Sequence, residues 1–212
     1  MTKKDAQGDD MYPKARVDAL TDALFAVAMT ILVLDLRPPE ALNPADRLAL
    51  VHALIRLWPK FFAYVLSFYV LGATWLSNIK LRSHGEFVGK GYVAWWLVYL
   101  LLATCLPFST SVTGRFAGDG ASVWLYCFNL AARAAVGYRL VVLLPALEHD
   151  EHALDRKVSL IVLMATCVLC LGLSMIDPRR SLWVFVLNVG ATPLAKLIGR
   201  MRAARNAERV AR

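Results

Sequence analysis

The chain alternates between long apolar stretches and short polar ones. Six apolar stretches are predicted to be membrane-spanning helices, at residues 17–36, 58–79, 92–112, 121–144, 158–176 and 181–198. A helix of about 20 apolar residues is long enough to cross the roughly 30 Å hydrocarbon layer of a bilayer. Prolines inside the third and sixth stretches are tolerated in membrane helices, because neighbouring groups satisfy the freed carbonyls. The pattern therefore indicates an all-α integral membrane protein with six transmembrane helices.

The segment 41–57 has a different periodicity, with one apolar helical face and polar residues on the others. Its apolar positions are Leu48, Val51, Leu54 and Ile55. This pattern is typical of an amphipathic helix, so we interpret the segment as a lead-in to the second span and not as a seventh crossing.

Composition supports a membrane protein. Hydrophobic residues make up 58% of the 212 residues and charged residues only 19%, whereas soluble domains are nearer half and a quarter. The polar start of the chain lacks the short apolar region and cleavage site of a secretory signal. We expect a cytoplasmic polar N-terminus at 1–15, a six-helix transmembrane domain at 16–198 and a basic cytoplasmic tail at 199–212.

Lys and Arg residues indicate the orientation of the helices. Most of them lie in the N-terminus, in the even-numbered loops and in the tail. Because cytoplasmic loops carry an excess of positive charge, both termini are predicted to be cytoplasmic. The same bias, with attraction to anionic lipid headgroups, accounts for the net charge of +8, so no nucleic-acid partner is expected.

No recognisable catalytic motif is present, and the chain is not expected to be an enzyme or to bind a cofactor or metal. His149 and His152 stand between acidic residues, but a solvated loop explains them better than a metal site. Without a second pair or a set of histidines, the cysteines are expected to be small buried hydrophobic residues. They are Cys105, Cys127, Cys167 and Cys170.

The first span carries polar groups that a lone anchor does not need. Arg16, Thr21 and Asp22 stand at its start, before a nearly uninterrupted apolar run. Ionisable groups in membrane helices are costly and usually face protein or water. The helix is therefore expected to pack within an assembly, where it can line a pathway.

One face of this helix has an apolar stripe. Val27, Ile31 and Leu34 are spaced i, i+4 and i+7, and Thr30 lies beside them. Symmetric copies around an axis would stack rings of apolar side chains with one hydroxyl ring, and apolar rings can gate a pore by excluding water. Ordinary packing or lipid contact explains the same spacing.

The fourth span contains Arg133 and Arg139. Their spacing is not the regular series of a voltage sensor. Arg139 is expected to extend to the cytoplasmic interface, and Arg133 to be buried against a polar group such as Asn129.

Three motifs between residues 16 and 115 resemble those of a known family. The first motif comprises Arg16, Leu20, Thr21 and Asp22, then Leu34-Asp35-Leu36 and Pro38. The second comprises Phe62, Tyr64, Ser67, Phe68, Gly72 and Trp75, and the third is Leu106-Pro107-Phe108-Ser109-Thr110. Together they resemble the lysosomal potassium channel family of the transmembrane protein 175 type and its bacterial homologues. Leu20 and Thr21 stand where the family has Phe and Ser.

The resemblance implies a potassium-permeable cation channel in the plasma membrane of a bacterium. It implies that the first helices of a homotetramer line a central pore. Val27 matches the family's main constriction, and Ile31 and Leu34 match further apolar pore positions. Thr30 matches a hydroxyl position implicated in potassium selectivity.

The resemblance also implies a structural role for the first motif. Arg16, Thr21 and Asp22 would hold the first helix to its neighbours by charge-assisted hydrogen bonds. Leu20 belongs to the same structural motif. The chain has no internal repeat of this motif, and one helix cannot enclose a pore, so four copies around an axis are expected.

Two other classes of protein also fit the sequence. A small proton- or solute-coupled transporter would have mid-membrane ionisable groups and weak inverted repeats. A non-transporting membrane scaffold would need neither a pore nor ion flux.

Overall fold

The computed structural model describes residues 11–37, 47–80, 86–143 and 151–186, and these are mostly helical. The helices are α1 (Lys14–Val33), α2 (Arg47–Arg56), α3 (Trp58–Lys80), α4 (Lys90–Thr104), α5 (Leu106–Arg115), α6 (Gly120–Val142), α7 (Glu151–Ser174) and α8 (Pro178–Ser181). Two short strands, β1 (Met11–Pro13) and β2 (Phe87–Gly89), complete the described elements. Residues 183–186 are again helical.

Three helical segments in the described ranges are long and apolar enough to cross a membrane. They are Trp58–Ile79, Lys90–Arg115 and Asp155–Ser174. They confirm the second, third and fifth predicted spans as membrane-capable helices, and the described part of the chain is a helical membrane protein. The sixth predicted span, 181–198, lies mostly outside the described residues.

The helix ends differ from the predicted ones in three places. The first helix is displaced toward the N-terminus, since it begins at Lys14 and ends at Val33. The third span divides into α4 and α5 at Cys105, because Pro107 has no N–H to donate to the carbonyl one turn earlier. The fifth span begins earlier, at Glu151, because its polar first turns are also helical.

The core of the bundle forms around α6, which packs against α4, α5 and α7. Tyr99 of α4 and Tyr126 of α6 are buried in it, and the ring of Tyr126 meets Phe185 edge-on at 5.8 Å. Helix α1 lies beside this core, in contact with α3, α4 and α5. One side of α1 therefore faces away from the protomer.

The strands form an antiparallel ribbon in which Met11 is opposite Gly89 and Pro13 is opposite Phe87. The backbone N–H of Lys14 continues it by donating to the carbonyl of Glu86 at 2.9 Å. The all-α prediction missed this ribbon, because strands of three residues are too short to show a periodicity of two. The ribbon holds the start of α1 beside the start of α4.

Candidate functional site

Helix α1 has a buried side and an exposed side. The buried side, which packs on the core, carries Thr21, Phe25, Ala28 and Leu32. The exposed side carries Val27, Ile31 and Leu34, which are 51%, 45% and 67% exposed. Exposing three large apolar side chains on one stripe is unfavourable in water, so this stripe is suited to contact lipid or other protein.

Thr30 is also exposed, next to the apolar stripe. Its hydroxyl donates to the carbonyl of Val27 at 2.8 Å. The hydroxyl oxygen still has acceptor capacity, because a hydroxyl has two lone pairs. The four residues predicted to line a pore therefore lie on one exposed face, which we call the α1 stripe: Val27, Thr30, Ile31 and Leu34.

Thr21 ties the first half of α1 to α4. Its hydroxyl is buried, accepts a hydrogen bond from the indole Nε1 of Trp96 at 2.8 Å and donates to the carbonyl of Val17 at 2.7 Å. The oxygen therefore acts as both acceptor and donor. Sequence reasoning missed Trp96, because it lies 75 residues further along the chain and belongs to no motif that we recognised.

Asp22 ties the same part of α1 to α3. Its carboxylate accepts a hydrogen bond from the indole Nε1 of Trp75 at 2.8 Å. A hydrogen bond to an ionised carboxylate is stronger than one between neutral groups. Adjacent polar residues of α1 thus bind two different helices through two tryptophans.

Arg16 and Leu20 are both exposed in the protomer. The basic side chain that pairs in this region is Lys14, which is buried and lies 3.0 Å from the carboxylate of Asp18. Lys14 and Asp18 are spaced i, i+4, so the sequence alone could have predicted that they pair on a helix. That Arg16 joins α1 to a neighbouring helix stays a prediction.

The other end of α1 is held by Asp35, which follows the helix. Its Oδ1 accepts from the hydroxyl of Ser111 at 2.8 Å and from the guanidinium of Arg115 at 3.3 Å, both on α5. Polar bonds therefore fix α1 near its middle and just after its last residue, and hydrophobic packing fixes the part between them. Such an arrangement keeps the α1 stripe on the outer side of the protomer.

The cysteines and histidines form no metal site in the described part of the chain. Cys127, Cys167 and Cys170 are buried as expected, but Cys105 is exposed at the break between α4 and α5. Among the described residues, no group of three His, Cys, Asp or Glu side chains could hold a metal. His149 lies outside the described residues, as does the side chain of His152.

Arg133 is buried as expected, but Asn129 is not its partner. The side-chain Nδ2 of Asn129 donates instead to the backbone carbonyl of Leu102 at 3.1 Å. The two residues lie one turn apart on α6, and the amide reaches across to α4 instead of along its own helix.

Arg139 is exposed, and its guanidinium lies over the ring of Trp95, 5.4 Å from the centroid.

Comparisons with known proteins point to one family. Residues 16–107 match the family model described as endosomal/lysosomal potassium channel TMEM175. A Streptomyces collinus protein named potassium channel is 33% identical over 106 residues, which is 50% of each chain. A Chamaesiphon minutus protein with the same kind of name is 29% identical over 153 residues, covering 66% of this chain and 73% of the relative. The match thus spans half the length of the Streptomyces relative.

The likeness extends to a solved structure. The crystal structure of a lysosomal potassium-selective channel TMEM175 homologue from Chamaesiphon minutus matches with a TM-score of 0.72 at 26% identity. The match covers 82% of this chain and 94% of the other. The shared fold therefore reaches beyond the residues that match the family model.

Proposed function

We infer that this chain, which is a homologue of the TMEM175 channels, is the subunit of a potassium-permeable cation channel. Conduction is passive and follows a pore lined by α1. Relatives in Streptomyces and Chamaesiphon are named potassium channels. The protein acts as a channel and not as an enzyme, in the plasma membrane of a bacterium and with both termini in the cytoplasm.

The observation that carries this proposal is the exposed α1 stripe on a helix fixed at two points. Thr21 and Asp22 bind two tryptophans near the middle of the helix, and Asp35, just after its end, binds α5. A helix that is fixed in place and has an exposed apolar face is suited to pack against copies of itself. We therefore propose a homotetramer of six-helix subunits, with four α1 helices around one axis.

The chemistry of the stripe suggests how such a pore works. Val27, Ile31 and Leu34 supply apolar rings that form a hydrophobic constriction and gate by excluding water. The Thr30 hydroxyl donates to the carbonyl of Val27 and so keeps both of its lone pairs, and the residue lies on the same exposed face. It would supply the polar contact that contributes to selectivity for potassium.

Potassium flux from liposomes tests the proposed activity. Purified protein in potassium-loaded vesicles should dissipate the gradient passively, with a rate that rises with the amount of protein. The control is the same lipid without protein. Absence of potassium flux from vesicles shown to contain the tetramer would favour a membrane scaffold. Saturable flux coupled to protons would favour a transporter. Either result contradicts the proposal.

Replacing Asp22 with Ala should impair assembly of the tetramer. The substitution removes the acceptor of the Trp75 indole and loosens α1 from α3. Asp22→Asn keeps an acceptor oxygen without the charge and should give an intermediate result. Size-exclusion chromatography in detergent measures the fraction of tetramer.

The matched control is Asp155→Ala, which removes an exposed carboxylate on α7. It should leave the tetramer fraction unchanged. Equal elution profiles for Asp22→Ala and the unmodified protein would show that the first motif does not support assembly.

A further inference from the structure

Two arginines are buried inside the bundle. Arg133 on α6 is 2% exposed and Arg156 on α7 is 5% exposed. They interact as like charges, and both lie near Tyr99 of α4. Buried arginines almost always pair with a carboxylate or bind an anion.

The described residues only partly satisfy this pair. The Arg156 guanidinium donates to the Tyr99 hydroxyl at 3.5 Å, and the amide of Asn78 donates to the same oxygen at 3.5 Å. Among the described residues, both terminal nitrogens of Arg133 and the Nε of Arg156 have no hydrogen-bond partner. The unsatisfied donors therefore belong to α6 and α7, two helices that pack together, and both side chains lie near Tyr99 of α4.

The acidic side chains of the described membrane helices and their ends are engaged elsewhere or exposed. Asp18 pairs with Lys14, Asp22 binds Trp75 and Asp35 binds α5. Asp155 precedes Arg156 but is exposed. In the described part of the chain, no carboxylate hydrogen-bonds to either buried guanidinium.

Two buried positive charges that have no carboxylate partner among the described residues carry a large desolvation cost. Water could satisfy the nitrogens but would not neutralise their charge. We propose that Arg133 and Arg156 form an internal binding site for a small inorganic anion of about the size of chloride. The Tyr99 hydroxyl is placed to donate to the same ion, since it already accepts from Arg156 and Asn78.

Close packing around the site favours a small ion over a lipid headgroup. Gly137 lies one turn after Arg133, and a Cβ there would be 3.4 Å from the Tyr99 ring and 3.5 Å from Leu160. Leu160 lies one turn after Arg156. A phosphate attached to glycerol and acyl chains would have to displace these contacts, whereas a monatomic ion would not.

The first test is the thermal stability of the full-length protein in detergent. Chloride replaces gluconate stepwise at constant ionic strength, and Tm should rise to a plateau as chloride saturates the site. In Arg133→Gln and in Arg156→Gln, the chloride concentration at half effect should increase at least about tenfold. Arg139→Gln removes an exposed arginine of α6 and should leave the titration unchanged.

The second test does not depend on variants that fold. Crystals of the unmodified protein grown in bromide should show an anomalous scattering peak between Arg133 and Arg156. A peak there with the chloride-dependent Tm establishes the site. Bromide found only at the surface, or equal Tm in chloride and gluconate, overturns the proposal and leaves a hydrated arginine pair. An increase in Tm only with inorganic phosphate or phosphatidylglycerol also overturns it, in favour of a phosphate site.

Discussion

Replacing Ile31 with Ala is expected to raise potassium conductance by roughly an order of magnitude, which corresponds to about 1.4 kcal/mol of barrier. Ile31 is 45% exposed on the α1 stripe, so its removal disturbs little packing within the protomer. A smaller side chain would widen an apolar ring around the axis and make it easier to wet. Single-channel currents in planar bilayers measure the effect.

Leu32 provides the matched control, because it is the next residue of the helix and is only 2% exposed. Leu32→Ala leaves a cavity in the core and should lower the free energy of unfolding by about 2–5 kcal/mol. Ile31→Ala should leave stability nearly unchanged. The pair thus separates a residue proposed to line the pore from one that is buried in the bundle.

Val27→Ala should act in the same direction as Ile31→Ala, because Val27 lies one turn away on the same face. Unchanged currents in both variants would exclude the α1 stripe as the constriction. Cysteines placed at these positions should also crosslink between subunits. Failure of every such pair to crosslink would show that the stripe faces lipid.

Replacing Thr21 with Val should destabilise the protein by about 1–3 kcal/mol, because a buried indole N–H of Trp96 loses its acceptor. Valine has nearly the same shape, so the effect isolates the hydroxyl. Thr21→Ser keeps the hydroxyl and should behave like the unmodified protein. Denaturant unfolding followed by tryptophan fluorescence measures the difference.

Thr30→Val should change ion selectivity and leave stability unaffected. Its hydroxyl bonds only to the carbonyl of Val27 in its own helix, and the residue is exposed. Thr30→Val should therefore leave stability unchanged and shift the bi-ionic reversal potential between potassium and sodium. Equal stability of Thr21→Val and the unmodified protein would show that the bond between Thr21 and Trp96 contributes nothing to folding stability. An unaltered reversal potential in Thr30→Val would show that Thr30 has no part in potassium selectivity.

Local patterns in the sequence located the three described helical segments that are long and apolar enough to cross a membrane. Apolar runs predicted 58–79 to within a residue of α3, because hydrophobic length is a property of the segment itself. They were less accurate for α1 and α7, whose polar first turns are also helical. Charged residues at a helix start are stabilised by pairs such as Lys14 with Asp18, and apolar composition does not report such pairs.

The α1 stripe could be proposed from the sequence because helical periodicity alone places Val27, Ile31 and Leu34 on one side. Periodicity could not tell whether that side packs on the core or faces outward. The structure leaves it exposed and buries Phe25 and Leu32 instead. Its role in conduction remains a prediction that the substitutions above test.

The sequence by itself determined the class of the protein, its motifs and its resemblance to one family, because apolar length, charge bias and motif spacing are all read along the chain. Only the tertiary structure decided which side chains meet. Trp96 meets Thr21 across 75 residues, Ser111 meets Asp35 across 76, and Arg156 meets Tyr99 across 57. Such contacts depend on how whole helices pack, and the packing of a helix depends on all its neighbours at once.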